Sequence, residues 1–273
     1  ELDLLDLSGS KVTDVSPLRD SRVKILELKD LDVDDISALA DIGLQELNIS
    51  DSKVKDISAL SASSTLKKLW LRDTSVSDIS ALNHCKDLKS LSLAGTLVDD
   101  LSSLHDCREL VHLNVSRTPL VNVSGLEKLK LESLEMAYVQ VKDFRFLESM
   151  MSLRSLRLSG CKITDLYPLR NHDLHQLRMD HCPVKNISYL VYMKNLGLLN
   201  LKNTAVEDIS PLAGMSFRSL NLSNMRIRDF SILKKMGKID KLHFENMDVT
   251  PEIEKVFSES NIEKIITSPK EVQ

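Results

Sequence analysis

One aliphatic position recurs from end to end of this chain and constrains its fold more than any other feature. It is held by Val12, Val33, Val54, Val76, Val98, Leu120, Val141, Ile163, Val184, Val206, Ile227 and Val249, at steps of 21 or 22 residues. Seven residues before it stands leucine in all twelve units, from Leu5 to Leu242. Six residues after it stands leucine in eleven, from Leu18 to Leu233. Two residues after it stands an acid or its amide, Asp in nine units and Asn122 and Asn186 in two. Chance does not produce such a register. A fixed period of this length is the signature of stacked supersecondary units.

The unit reads LxxLxLxxTxVxDISxLxxL. Its LxL step has a period of two, so both leucines point inward from one short strand, as with Leu69 and Leu71 or Leu199 and Leu201. The next strand arrives one unit later and runs parallel. The acidic segment turns the chain back. In Asp208-Ile209-Ser210-Pro211-Leu212, Ser210 suits an N-cap and Pro211 the first position of a short helical turn. Composition agrees: 47 leucines with only 4% aromatic residues imply many small, similar layers rather than one mixed core. The expected fold is an α/β repeat solenoid. A curved parallel β-sheet forms its concave face and short 3₁₀ or α turns its convex face. About twelve units span residues 1–249. A cap follows over 250–273 in the same domain, with a helix opened by Thr250 and a short strand through Ile262, Ile265 and Ile266.

Several chemical readings fail on the residues. The repeated Asp resembles a metal ladder, but calcium repeats need several oxygen ligands per turn and glycine at the bend. The expected role is to accept backbone N–H groups at the turn, which Asn122 and Asn186 also do. Ser10, Ser52, Thr74, Thr96, Thr118, Cys161, Cys182 and Thr204 form a second structural ladder. Cys85 and Cys107 join Cys161 and Cys182 as four buried thiols without a CxxC pair. His172 and His175 lack matching ligands and read as surface histidines. His181-Cys182 is no nucleophile and base, because Cys182 holds an inward position. The Asn-x-Ser sequons at Asn48, Asn114, Asn122, Asn186 and Asn221 are by-products of the repeat. No catalytic motif, metal or cofactor is implied. A net charge of −4 excludes a strongly basic nucleic-acid binder, and no apolar run reaches the ~20 residues of a membrane span.

The unit resembles the leucine-rich repeat along essentially the whole chain. The Asp-Ile-Ser-Pro-Leu turn and 21–22 residue period resemble the bacterial, internalin-like type. The internalin N-terminal helical cap and the following immunoglobulin-like module are not visible in the sequence. Leu220-Asn221-Leu222-Ser223 after Gly214-Met215, and Ile265-Ile266-Thr267-Ser268-Pro269, resemble repeat tracts attached to bacterial Ser/Thr kinases. The resemblance implies a non-enzymatic scaffold that binds a protein partner on its concave sheet. The kinase-linked wording implies instead a regulatory or sensory region, with a kinase domain in the same full-length chain. A secreted adhesin is the third reading. The chain begins without Met inside a repeat and reads as a piece of something longer. The cytoplasm is the simpler location, and the cell surface follows if a signal precedes Glu1.

Outward residues alternate with the inward leucines, and two patches stand out. The first centres on Trp70, the only tryptophan. Lys68 and Arg72 share its face, Asn48 and Ser92 are its expected cross-strand neighbours, and Asp51 and Asp73 border it. Exposed Trp and Arg anchor protein interfaces; the alternative is a Trp lying flat under a cation–π contact with Arg72. The second patch joins Glu135, Tyr138, Arg157, Arg178, Asp180 and His181. Arg157 and Arg178 hold the same place in adjacent strands, where like charges disfavour each other. Glu135 and Asp180 compensate them internally, or an acidic or phosphate group of a partner does.

Overall fold

The structure, a computed structural model, describes residues 3–267. The expectations placed on Ser268 and Pro269 lie outside them. The chain divides into two compact units, Glu1–Val141 and Lys142–Gln273.

In the first unit seven short strands alternate with 3₁₀ turns. The strands are β1 (Leu4–Asp6), β2 (Ile25–Glu27), β3 (Glu46–Asn48), β4 (Lys68–Trp70), β5 (Ser90–Ser92), β6 (His112–Asn114) and β7 (Ser133–Glu135). Each pairs in parallel with the next, one unit further along the chain. The register puts Leu26, Leu47, Leu69, Leu91, Leu113 and Leu134 in one inward row, each at most 2% exposed. The second unit repeats the plan with β8 (Ser155–Arg157), β9 (Gln176–Arg178), β10 (Leu198–Asn200), β11 (Ser219–Asn221), β12 (Ile239–His243) and β13 (Ile262–Ile266). All are parallel to their neighbours within the unit. Between β12 and β13 lies a helix, α1 (Pro251–Ser258). Thr250 Oγ1 accepts the Ile253 N–H at its start, and Phe257 packs edge-on against Phe244 at 5.2 Å. This is the expected C-terminal helix and strand.

The turns follow one chemistry. In all eleven units that carry the motif, the Asp or Asn side chain accepts the backbone N–H two residues on, at 2.7–3.0 Å. That satisfies a donor the bend strips from any ladder. Ser210 is therefore not the cap. It opens the 3₁₀ turn, and Asp208 Oδ1 takes its N–H. The hydroxyl ladder folds back on its own strand: Thr74, Thr96, Thr118 and Thr204 donate to the carbonyls of Leu71, Leu93, Val115 and Leu201. Ser10, near the edge of the first unit, is exposed. The four cysteines are buried free thiols, and burial pushes Cys85 up to about 11 and Cys107 and Cys182 to about 12.

One histidine departs from the sequence reading. His172 is buried, 3% exposed, whereas His175 lies at the surface. His172 sits nine residues after its anchor Ile163, the place held inside the fold by Cys85, Cys107, Leu129, Met150 and Met193. Position in the repeat, not residue type, put it there.

Candidate functional site

Each strand from β1 to β12 is followed by one left-handed residue, three positions before the anchor. In the first unit these are Gly9, Asp30, Asp51, Asp73, Gly95, Arg117 and Tyr138; in the second, Gly160, His181, Asn203, Asn224 and Asn246. Gly, Asn and Asp tolerate positive φ; other side chains reach it at a cost. Arg117 (φ 59°), Tyr138 (φ 58°) and His181 (φ 62°) are the three exceptions, and all three are exposed. The preference of this column for Gly, Asp and Asn was visible in the sequence, and it marks Arg117, which sequence reasoning passed over.

The first patch is assembled as the register required. Asn48, Trp70 and Ser92 are consecutive in-register neighbours across β3, β4 and β5. Trp70 is half-buried at the C-terminal end of β4. Lys68 Nζ lies 2.9 Å from Glu46 Oε1 on β3. Arg72 is exposed, and its Nε donates to Asp73 Oδ2 at 2.8 Å. Arg117 reaches the same carboxylate from two units along, Nη2 to Oδ1 at 3.2 Å. The Arg72 hydrogen bond holds the Asp73 carboxyl below its ordinary range, against the opposing effect of burial. Arg72 is thus committed to Asp73. The cation–π contact among the described residues lies elsewhere, with Arg170 3.9 Å over Tyr167. Asn48 is also occupied: Nδ2 donates to Glu27 Oε2 at 2.7 Å, and Oδ1 accepts the Ser50 N–H at 3.1 Å. The same turn-closing bond recurs at Asp6, Asn114, Asn200 and Asn221. Asn48 therefore shapes the strand end beside Trp70.

Gly95 makes the Arg117–Asp73 bridge feasible. It lies in the unit between them at φ 74°, and a Cβ built there collides with the Asp73 carboxylate. Gly95→Ala is expected to lower stability by about 1–2 kcal/mol, the cost of a left-handed alanine, as read from urea unfolding. A stability equal to wild type would contradict this account.

The second patch divides between the units. Glu135 and Tyr138, the latter 48% exposed, belong to the first. Arg157, Arg178, Asp180 and His181 come together in the second. Arg157 and Arg178 are direct register partners on β8 and β9; Arg157 is half-buried and Arg178 exposed. Asp180 Oδ1 accepts Ser159 Oγ at 2.7 Å and Asn200 Nδ2 at 3.0 Å. Asn203 Nδ2 donates to His181 Nε2 at 2.8 Å, so the ring proton sits on Nδ1 and is donated to Asp180 Oδ2 at 3.2 Å. Sequence reading also missed a cluster on the turn side. Three of the four tyrosines, Tyr167, Tyr189 and Tyr192, lie in two successive turns, with Tyr167 and Tyr189 edge-on at 5.8 Å.

Among the described residues no group of three or more His, Cys, Asp or Glu could hold a metal ion, and no helix is long and apolar enough to cross a membrane. The geometry is that of a polar, outward-facing sheet surface, punctuated by Trp70 in one unit and paired arginines in the other.

Known proteins agree with this architecture. A family model described as Leucine Rich repeats (2 copies) matches residues 64–104. The crystal structure of an internalin from Listeria monocytogenes superposes with a TM-score of 0.87 at 26% identity, covering 99% of this chain and 83% of that one. A leucine-rich-repeat protein of Leptospira interrogans shares the fold, with a TM-score of 0.77 at 20% identity over 96% of this chain and 72% of its own. No curated protein sequence matches the chain. The chain folds as a leucine-rich-repeat solenoid and is similar to the bacterial, internalin type. It is a scaffold of the kind that typically serves protein–protein interaction, since such repeats present an extended sheet as a binding surface.

Proposed function

We propose that this protein is a non-enzymatic scaffold that binds a protein partner on the outward, concave side of its sheet, with Trp70 as the anchor in the first unit. The observation that carries this is the occupant of one column. The outward residue that closes each strand from β1 to β7 is Asp6, Glu27, Asn48, Trp70, Ser92, Asn114 and Glu135 in turn. A tryptophan there has no core to fill, and it stands among small or polar neighbours with Lys68 and Arg72 on its face. Large aromatics with adjacent cations dominate the energetics of protein interfaces.

The test is a pulldown from native lysate with wild type and Trp70→Ala, with folding confirmed by circular dichroism. The expected result is loss of a specific band, because a hot-spot aromatic is worth at least ~2 kcal/mol of binding, about thirtyfold in affinity. A folded variant that keeps every band refutes the anchor role. Two finer readings rest on likeness of sequence and fold. The kinase-linked wording of Leu220–Ser223 supports a regulatory or sensory region of a Ser/Thr kinase, and a kinase domain in the longer gene product would establish it. The likeness to an internalin supports a secreted adhesin, and a cleaved signal peptide on the natural protein would establish that.

A further inference from the structure

We infer that the turn side of the second unit carries a binding groove, lined by Tyr189 and Tyr192, for a proline-rich segment of a partner protein in the extended polyproline II form. This goes beyond the Trp70 reading, which concerns the sheet face of the first unit. The repeat itself marks the site. The place of Tyr167, four residues after the anchor, is serine in nine units. The place of Tyr192, eight after the anchor, holds no Phe, Tyr or Trp in any other unit. The turn therefore folds without rings at either place. These rings also lie outside the core, Tyr167 being 44% exposed and Tyr192 70%. The cluster is nevertheless held in position. Tyr167 meets Tyr189 edge-on at 5.8 Å, and the Arg170 guanidinium covers the Tyr167 face at 3.9 Å. Beside it opens a groove of about 570 Å³, along which lie Arg170, Asn171, Asp173, Tyr189, Tyr192 and Lys194. The carboxylates around it are spent. Asp173 accepts Asn195 Nδ2 at 2.9 Å, with Arg154 Nη1 3.9 Å from its second oxygen, and Glu148 accepts Arg170 Nη2 at 3.0 Å. The phenols of Tyr189 and Tyr192, the Asn171 amide and the Lys194 ammonium enter no hydrogen bond or ion pair among the described residues, and each of them can donate. The groove thus presents aromatic rings and spare donors. A polyproline II segment is the complement: pyrrolidine rings, backbone carbonyls free of internal hydrogen bonds, and no N–H at proline to satisfy. Aromatic-lined grooves take such segments, whose preformed helix has little entropy left to lose. A sugar is the poorer match, because its hydroxyls also donate and the nearby carboxylates are already taken.

The experiment is calorimetric titration of the whole chain with decaproline. A glycine–serine peptide of equal length and maltohexaose serve as comparison probes. Binding of decaproline alone is expected. Tyr192→Ala is expected to weaken it at least tenfold, through loss of an interface aromatic. Tyr192→Phe, which keeps the ring and removes the phenol donor, is expected to weaken it about fivefold. Val121→Ala, at an exposed apolar residue of the first unit, leaves it unchanged. Tyr192 is exposed, so its variants disturb no core, and circular dichroism confirms their fold. No binding of decaproline, equal binding of the glycine–serine peptide, maltohexaose binding in its place, or wild-type affinity in either Tyr192 variant would each overturn the inference. The Trp70 reading is untouched by any of these outcomes, because its pulldown probes a residue of the other unit.

Discussion

Leu91→Ala is expected to lower the unfolding free energy by about 3 kcal/mol, within the range for a buried leucine truncated in a packed core. Leu91 is 1% exposed at the centre of β5. It lies in register between Leu69 on β4 and Leu113 on β6, with Leu93, just past the strand, buried as well. Ladder bonds to both neighbouring strands hold its backbone, so the site cannot collapse to fill the hole. The cost is then the lost transfer energy plus the cavity. Leu97→Ala is the control. Leu97 is 56% exposed and one residue before an anchor, so its truncation is expected to change stability by no more than ~0.5 kcal/mol. Urea unfolding followed by far-ultraviolet circular dichroism measures both. Each unit of a repeat array is supported by its neighbours, so a fall in the slope m with the midpoint would show the array parting at β5. Equal effects from both substitutions would contradict the inward assignment of the LxL leucines.

That assignment was legible because two periods reinforce each other. The alternation of the strand gives the face, and the 21–22 residue step gives the register. Together they placed Leu91 beside Leu69 and Leu113, and Trp70 between Asn48 and Ser92. The acceptor role of the turn Asp was legible for another reason. Asn122 and Asn186 share an oxygen with Asp but no charge, which points to hydrogen bonding rather than to a cation. What escaped was side-chain direction. Spacing puts Arg72 beside Trp70, but its guanidinium bonds Asp73, which a left-handed turn brings within 2.8 Å. Spacing likewise put Asp180 near the arginines, but not its bonds to Ser159, Asn200 and His181, the first of which also accepts from Arg157 Nε. Such choices depend on local dihedrals and on competing donors two units away, which no period encodes. His172 was misplaced for a simpler reason. It was read with His175 as a pair, when its place nine residues after Ile163 aligned it with the buried Met150 and Met193.

That alignment carries the second large expected effect. His172→Met is expected to stabilise the protein by about 1–3 kcal/mol at neutral pH, the usual cost of leaving a buried polar group unsatisfied. Neither ring nitrogen of His172 has a hydrogen-bond partner among the described residues. Methionine already fills the equivalent place in the preceding and following turns of the same unit, at Met150 and Met193, so the replacement fits the local packing. The pH dependence follows from the same burial. Burial lowers the His172 pKa, outweighing the nearby carbonyls of Met150, Leu147 and Leu169, which favour the protonated ring. In the unfolded chain the ring titrates near its ordinary value, about 6.5. Below that pH the unfolded state binds the proton first, so folding stability is complete above about pH 6.5 and declines as the pH falls toward the lower folded value. The turn carboxylates act further down. Asp14, Asp35, Asp56, Asp100, Asp208 and Asp229 are all held below the ordinary carboxylate range by hydrogen bonds from the serine two residues on. Their contribution is present above about pH 4 and is lost as the pH falls through their lowered folded values. Wild type should therefore lose stability in two stages, and His172→Met in the second alone. Urea midpoints from pH 8 to pH 3.5 separate the stages. If the variant retains the decline that begins near pH 6.5, the buried imidazole is not its source.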